Sequence, residues 1–118
     1  MFELKVLDSF DAAHRIEGYP GKCARLHGHT WSIEVFVVGE ILDELGMVID
    51  FKTVRNSLRE VLDEFDHQCL NDLPMFREKN PTAENIAMEI FDRMSQKIPI
   101  DRVSVWESPK SCVTYSKK

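Results

Sequence analysis

The feature that most constrains this chain is the run Leu26 to Gly39, where Trp31, Ile33, Val35, Phe36, Val37 and Val38 crowd together. Branched and aromatic side chains fit a pleated, half-buried surface, so the run predicts a strand. A second strand precedes it. Over Phe2 to Phe10, Phe2, Leu4, Val6 and Leu7 come close to alternating with Glu3, Lys5 and Asp8, the period-two pattern of a sheet with one wet face. His14 falls at or just past the end of that strand. Between the two strands, Glu17 to Lys22 holds Gly18, Tyr19-Pro20 and Gly21, a cluster that breaks regular structure and reads as a loop. Cys23 lies on the way out of it.

The pattern then changes period. After a turn-containing connection from Gly39 to Met47, Asp50 and Phe51-Lys52-Thr53 mark a helix entry, and Val54, Leu58, Val61, Leu62 and Phe65 recur at spacings of three and four. This predicts a helix to about Glu64. Asn80-Pro81-Thr82-Ala83-Glu84 opens a second helix, with Pro81 in or near the first turn and Thr82 as its candidate cap. Ile86, Ala87, Ile90, Phe91 and Met94 supply its apolar stripe, and Pro99 ends it. Val103 and Val105, then Val113 and Tyr115, alternate on either side of Ser108 to Ser111 as a closing hairpin.

The order strand, strand, helix, helix, strand, strand predicts an α+β domain: a four-stranded antiparallel sheet with two helices on one face. Its other face and both edges stay uncovered, and open edges invite pairing between subunits, so an oligomer is expected. With 118 residues the chain is one domain, residues 1–118, since single cores occupy about 100 to 150 residues.

A net charge of −5 gives no general attraction to nucleic acid or anionic lipid, so any anionic ligand needs a local cluster of cations. The N-terminal MFELKVLDSF is too acidic and too briefly apolar for a signal peptide, and no run approaches the roughly 18 apolar residues of a membrane span. A cytoplasmic protein is expected. The three cysteines, Cys23, Cys69 and Cys112, are odd in number and widely spaced, as suits reduced thiols.

His27 and His29 flank Gly28 at the start of the predicted strand. Residues i and i+2 of a strand share a face, so two imidazoles stand close enough to hold one ion. Antiparallel pairing of the first two strands brings His14 beside them. Three nitrogen ligands with a fourth position left open suit a catalytic Zn²⁺; a chance pair of polar residues at a strand edge is the plainer alternative.

Cys23 reads as a fourth ligand, an inert thiol, or a nucleophile or base, and spacing does not decide among them. In Asp66-His67 a carboxylate adjoins an imidazole, which can orient it for proton transfer. Neighbours on a helix do not face each other, however, so their cooperation requires the helix to have ended. A solvated helix terminus is the alternative. Glu107 follows Val103-Ser104-Val105-Trp106 and is either a solvated turn residue or a bidentate acceptor for a planar group with paired N–H donors.

The stretches Phe10-Asp11-Ala12-Ala13-His14-Arg15, Cys23-Ala24-Arg25-Leu26-His27-Gly28-His29, Asp66-His67, Asn80-Pro81-Thr82-Ala83-Glu84-Asn85 and Trp106-Glu107-Ser108 together resemble the 6-pyruvoyl-tetrahydropterin synthase family. Three residues between Cys23 and His27 resemble its 6-carboxy-tetrahydropterin synthase branch, of the queuosine pathway. The resemblance implies zinc on His14, His27 and His29, proton transfer by Cys23 and by Asp66 with His67, and a pterin ring anchored by Glu107, with Thr82 at the substrate. It implies a lyase that acts on 7,8-dihydroneopterin triphosphate, releasing triphosphate and acetaldehyde to leave 6-carboxy-5,6,7,8-tetrahydropterin. It also implies trimers closed as strand barrels and paired into homohexamers, with sites at subunit interfaces. Alternatives are 6-pyruvoyl-tetrahydropterin formation, a dihydroneopterin aldolase, and a non-catalytic zinc- or pterin-binding module. Lys22, Arg25, Lys52 and Lys110 are the candidate triphosphate contacts.

Overall fold

A computed structural model describes residues 1–118. Strand β1 spans Phe2–His14 and β2 spans His27–Gly39; they pair antiparallel along their whole length, from Phe2 opposite Gly39 to His14 opposite His27. Helix α1 (Phe51–Asp63) follows, then the two-residue strand β3 (Gln68–Cys69), helix α2 (Ala83–Ser95), and the hairpin of β4 (Arg102–Ser108) and β5 (Ser111–Tyr115). The sheet order is β3-β1-β2-β4-β5.

The sheet therefore has five strands and is mixed, where the sequence led to four antiparallel ones. The additional strand β3 runs parallel to β1, pairing Gln68 with Ala12 and Cys69 with Ala13. Two residues carry no periodicity to read. They are set in place by a reversal after α1 in which His67 takes φ +59°, a left-handed conformation that few residues other than glycine adopt. Strand β1 also runs on past Phe10, because Phe10, Ala12 and His14 continue the inward alternation while Asp11 faces out.

Val6, Phe10, Ala12 and His14 of β1 share the inner face with Trp31, Ile33, Val35 and Val37 of β2 and with Val103 and Val105 of β4. The buried stripes of both helices cover this face. From α1 come Val54, Leu58, Val61 and Leu62; from α2 come Ile86, Ala87, Ile90, Phe91 and Met94. Each helix begins at a side-chain cap: Asp50 accepts from Lys52 N–H at 2.8 Å, and Thr82 Oγ1 accepts from Asn85 N–H at 3.1 Å. One hydrophobic core of 22 buried residues joins the sheet and both helices, and no helix is long and apolar enough to cross a membrane.

Candidate active site

The inner face ends in histidines. Pairing puts His14 opposite His27 and Ala12 opposite His29, and cross-strand partners share a face, so the three imidazoles converge at the rim of the helix layer. Their ring centroids are 4.5 Å apart for His14 and His27, 4.8 Å for His27 and His29, and 5.3 Å for His14 and His29. One ligand nitrogen from each lies within 4.8 Å of the other two. Trp31 forms the floor, edge-on to His14 and His29 at 4.9 and 5.2 Å.

Backbone carbonyls fix two of the rings. His14 Nδ1 donates to Pro81 O at 2.8 Å, and His27 Nδ1 donates to Arg25 O at 2.7 Å. A carbonyl only accepts, so Nδ1 carries a proton in both rings, and in the neutral form each presents an Nε2 lone pair. This is the outer-shell arrangement that orients metal-binding imidazoles. Nε2 of His14 and Nε2 of His29 are buried without a hydrogen-bond partner, a costly condition that a bound cation relieves. Burial holds both rings below the usual histidine range, with Glu107 opposing the shift at each, so the neutral form that a metal needs is favoured. Three imidazole nitrogens with a free fourth side fit zinc.

Glu107 lies where the β4–β5 pairing shifts register between Trp106 and Ser108, and its Oε1 stands 3.7 Å from His29 Nε2, too far for a hydrogen bond. Its carboxylate is thus beside the metal cluster and free to bind something else. Cys23 sits half-buried in the single turn Lys22–Ala24 just before β2, outside the group of converging nitrogens. Thr82 has its hydroxyl committed to capping α2, and its neighbour Pro81 holds His14.

Asp66 and His67 form a separate cluster, together with Asp11, at the free edge of β1. The helix has ended before them, so the neighbours do face each other: His67 Nδ1 is 3.0 Å from Asp66 Oδ1. Asp11 holds both through its backbone, donating N–H to Asp66 at 3.0 Å and accepting from His67 N–H at 2.6 Å. Those bonds, the Asp11 amide foremost, keep the Asp66 carboxyl below the ordinary range. His67 is exposed beside an open cavity of about 610 Å³, which Asp11, Thr30 and the triad's own His29 also line. Within one chain the dyad and the histidine triad form two separate groups of mutually close ligand atoms.

Of the candidate phosphate contacts, Lys22 and Arg25 flank Cys23 and Lys110 is in the β4–β5 turn near Glu107. Lys52 is in the first turn of α1, whose start lies by Phe2 and Leu4 at the other end of the sheet. Spacing gave no warning of the carbonyls of Pro81 and Arg25 or of Asp11, because backbone partners carry no side-chain signature. Cys112 is exposed and Cys69 half-buried, both as free thiols.

A family model described as 6-pyruvoyl tetrahydropterin synthase matches residues 3–118. The chain is 32% identical to 6-carboxy-5,6,7,8-tetrahydropterin synthase of Haemophilus influenzae over 98% of this chain and 99% of that protein. It is 42% identical to dihydroneopterin monophosphate aldolase of Pyrococcus furiosus over 84% of this chain and 83% of the relative. The solved structure of Caenorhabditis elegans 6-pyruvoyl tetrahydropterin synthase superposes with a TM-score of 0.90 at 30% identity, covering 99% of this chain and 96% of that one. The fold, the matched length and the identities agree: the chain belongs to the 6-pyruvoyl tetrahydropterin synthase family.

Proposed function

We propose that this chain is a zinc-dependent 6-carboxy-5,6,7,8-tetrahydropterin synthase. It converts 7,8-dihydroneopterin triphosphate and one water to 6-carboxy-5,6,7,8-tetrahydropterin, acetaldehyde and triphosphate, working in the cytoplasm as a homohexamer on the route to queuosine. The observation that carries this reading is the convergence of three imidazoles, two with orphaned Nε2 atoms, beside the uncommitted carboxylate of Glu107. A metal-binding module has no need of that carboxylate. The near full-length relative of the same name supports the choice of product.

His14, His27 and His29 hold one Zn²⁺ per chain through Nε2. When bound, the ion supplies Lewis acidity toward the hydroxyl groups of the substrate side chain. Glu107 accepts paired N–H donors of the pterin ring and so fixes which side-chain carbon faces the triad. Cys23 Sγ takes and returns a proton on that carbon. Asp66 keeps His67 Nδ1 occupied, leaving Nε2 to give or take a proton on a side-chain oxygen. Thr82 lines the substrate pocket through its place at the start of α2, while its hydroxyl stays on the helix.

Incubation of the purified protein with 7,8-dihydroneopterin triphosphate tests the reading, with mass analysis of the pterin and of the aldehyde. Acetaldehyde and a 6-carboxy pterin are expected. The identity to the Pyrococcus furiosus aldolase favours a second reading, in which retro-aldol cleavage of the trihydroxypropyl chain leaves a hydroxyaldehyde fragment. That fragment, with no acetaldehyde, would establish the aldolase instead.

A further inference from the structure

The two oxygens of the Asp66 carboxylate have different surroundings. Oδ1 takes the Asp11 amide and faces His67 Nδ1, each at 3.0 Å. Oδ2 faces one cation, Nη2 of Arg59, at 3.9 Å. Arg59 lies one helical turn before Asp63 on α1, and its remaining nitrogens are all engaged. Nε donates to Asp63 at 2.8 Å, while Nη1 donates to Asp8 Oδ1 at 3.0 Å and to Ser9 O at 3.1 Å. These bonds clamp the guanidinium plane between α1 and β1. They leave Nη2 buried with no hydrogen-bond partner, although an unmet guanidinium N–H is costly. What it faces is Asp66, and about 1 Å of carboxylate movement turns the ion pair into a hydrogen bond.

We propose that Arg59 is a positioning residue for the Asp66–His67 pair, fixing the carboxylate so that Oδ1 stays on His67 Nδ1 and Nε2 is left free for proton transfer. The role rests on the reading of His67 as a proton-transfer group. Arg59 acts on it through Asp66 alone. Lysine has one compact charge and cannot hold Asp8, Asp63 and Asp66 in one plane, so it replaces the function in part.

The test combines steady-state kinetics on the zinc-loaded enzyme with a long-range ¹H–¹⁵N spectrum of His67, which reads the ring nitrogen that carries the proton. Arg59→Gln is expected to lower kcat about 10- to 100-fold with KM within about twofold, and to shift His67 from the Nδ1–H form to a mixture. Arg59→Lys is expected to recover part of both signals, and it carries the test if the glutamine variant does not fold. Asp63→Asn weakens one bond of the clamp and leaves Nη1 on Asp8 and Ser9, and should lower kcat less than Arg59→Gln does. Full turnover in Arg59→Gln, or lost turnover with an unchanged His67 spectrum, would overturn the proposal. Asp66→Asn separates the two levels. If that variant is inactive while Arg59→Gln is not, the positioning role alone fails; if it keeps full turnover, the assignment of the dyad fails with it.

Discussion

His14 is 1% exposed, with Nδ1 on the Pro81 carbonyl and Nε2 aimed at the rings of β2. A metal removed from such a site leaves a buried, unsolvated imidazole, so metal content should follow the rings one by one. Elemental analysis is predicted to show about one zinc per chain, lost in His27→Ala, and full occupancy in that variant would break the ligand assignment. Cys23→Ala should keep its zinc and lose turnover, because the thiol stands outside the converging nitrogens; loss of zinc would make it a ligand. The metal-free protein carries a pH signature. Burial lowers the folded-state values of His14 and His29, so below about pH 6.5 the unfolded chain binds more protons than the folded one. The associated stability is complete above that pH and is lost as the pH falls from there through the folded values. A urea midpoint that drops between about pH 7.5 and about pH 5.5, and drops less in His14→Gln, is the expected result. Equal drops would mean that His14 does not titrate on unfolding.

The two helix caps look alike in sequence and differ in what hangs on them. Replacing either Asp50 or Thr82 by alanine removes one side-chain bond to an amide and costs about 1 kcal/mol. Thr82, however, follows Pro81, whose carbonyl holds His14, whereas Asp50 begins α1 by Phe2 and Leu4 at the other end of the sheet. Thr82→Ala is therefore predicted to weaken zinc binding as well as lower the melting temperature, while Asp50→Ala lowers the melting temperature alone. Chelator competition on both variants decides it, and equal zinc affinities would uncouple the start of α2 from the metal. At this scale much of the molecule was legible. Period-two and period-3.6 patterns placed four strands and both helices; strand geometry put His27 beside His29, and the expected antiparallel pairing of the first two strands brought His14 across from them. Illegible were elements without a pattern: β3 is two residues long, and the Asp66–His67 contact depends on one left-handed residue at a chain reversal. Nor does any spacing rule show Arg59 against Asp66, since that contact needs α1 packed on β1.

The whole molecule leaves two conditions unmet within one chain. β3 covers β1 only at Ala12 and Ala13, so the rest of β1 and all of β5 present free edges, which natural sheets pair or protect. The dyad is also a cluster apart from the triad it is meant to serve. Pairing β5 of one copy with β1 of the next would answer both, by carrying Asp66 and His67 of one subunit toward the triad of another. The arrangement makes a quantitative prediction. Cys23→Ala and His67→Ala homo-oligomers should each be inactive, and subunits of the two unfolded together and refolded as a mixture should regain activity. If thiol and imidazole come from different chains, random mixing gives about a quarter of the sites an intact pair. If both come from the same chain, no mixed site holds both groups and the mixture stays inactive. Thr114→Pro, which places a residue without an amide hydrogen in the edge strand, should give a smaller species by light scattering. That species should keep zinc on His14, His27 and His29, all from one chain, while losing turnover; a small species with full activity would place the complete site within a single subunit.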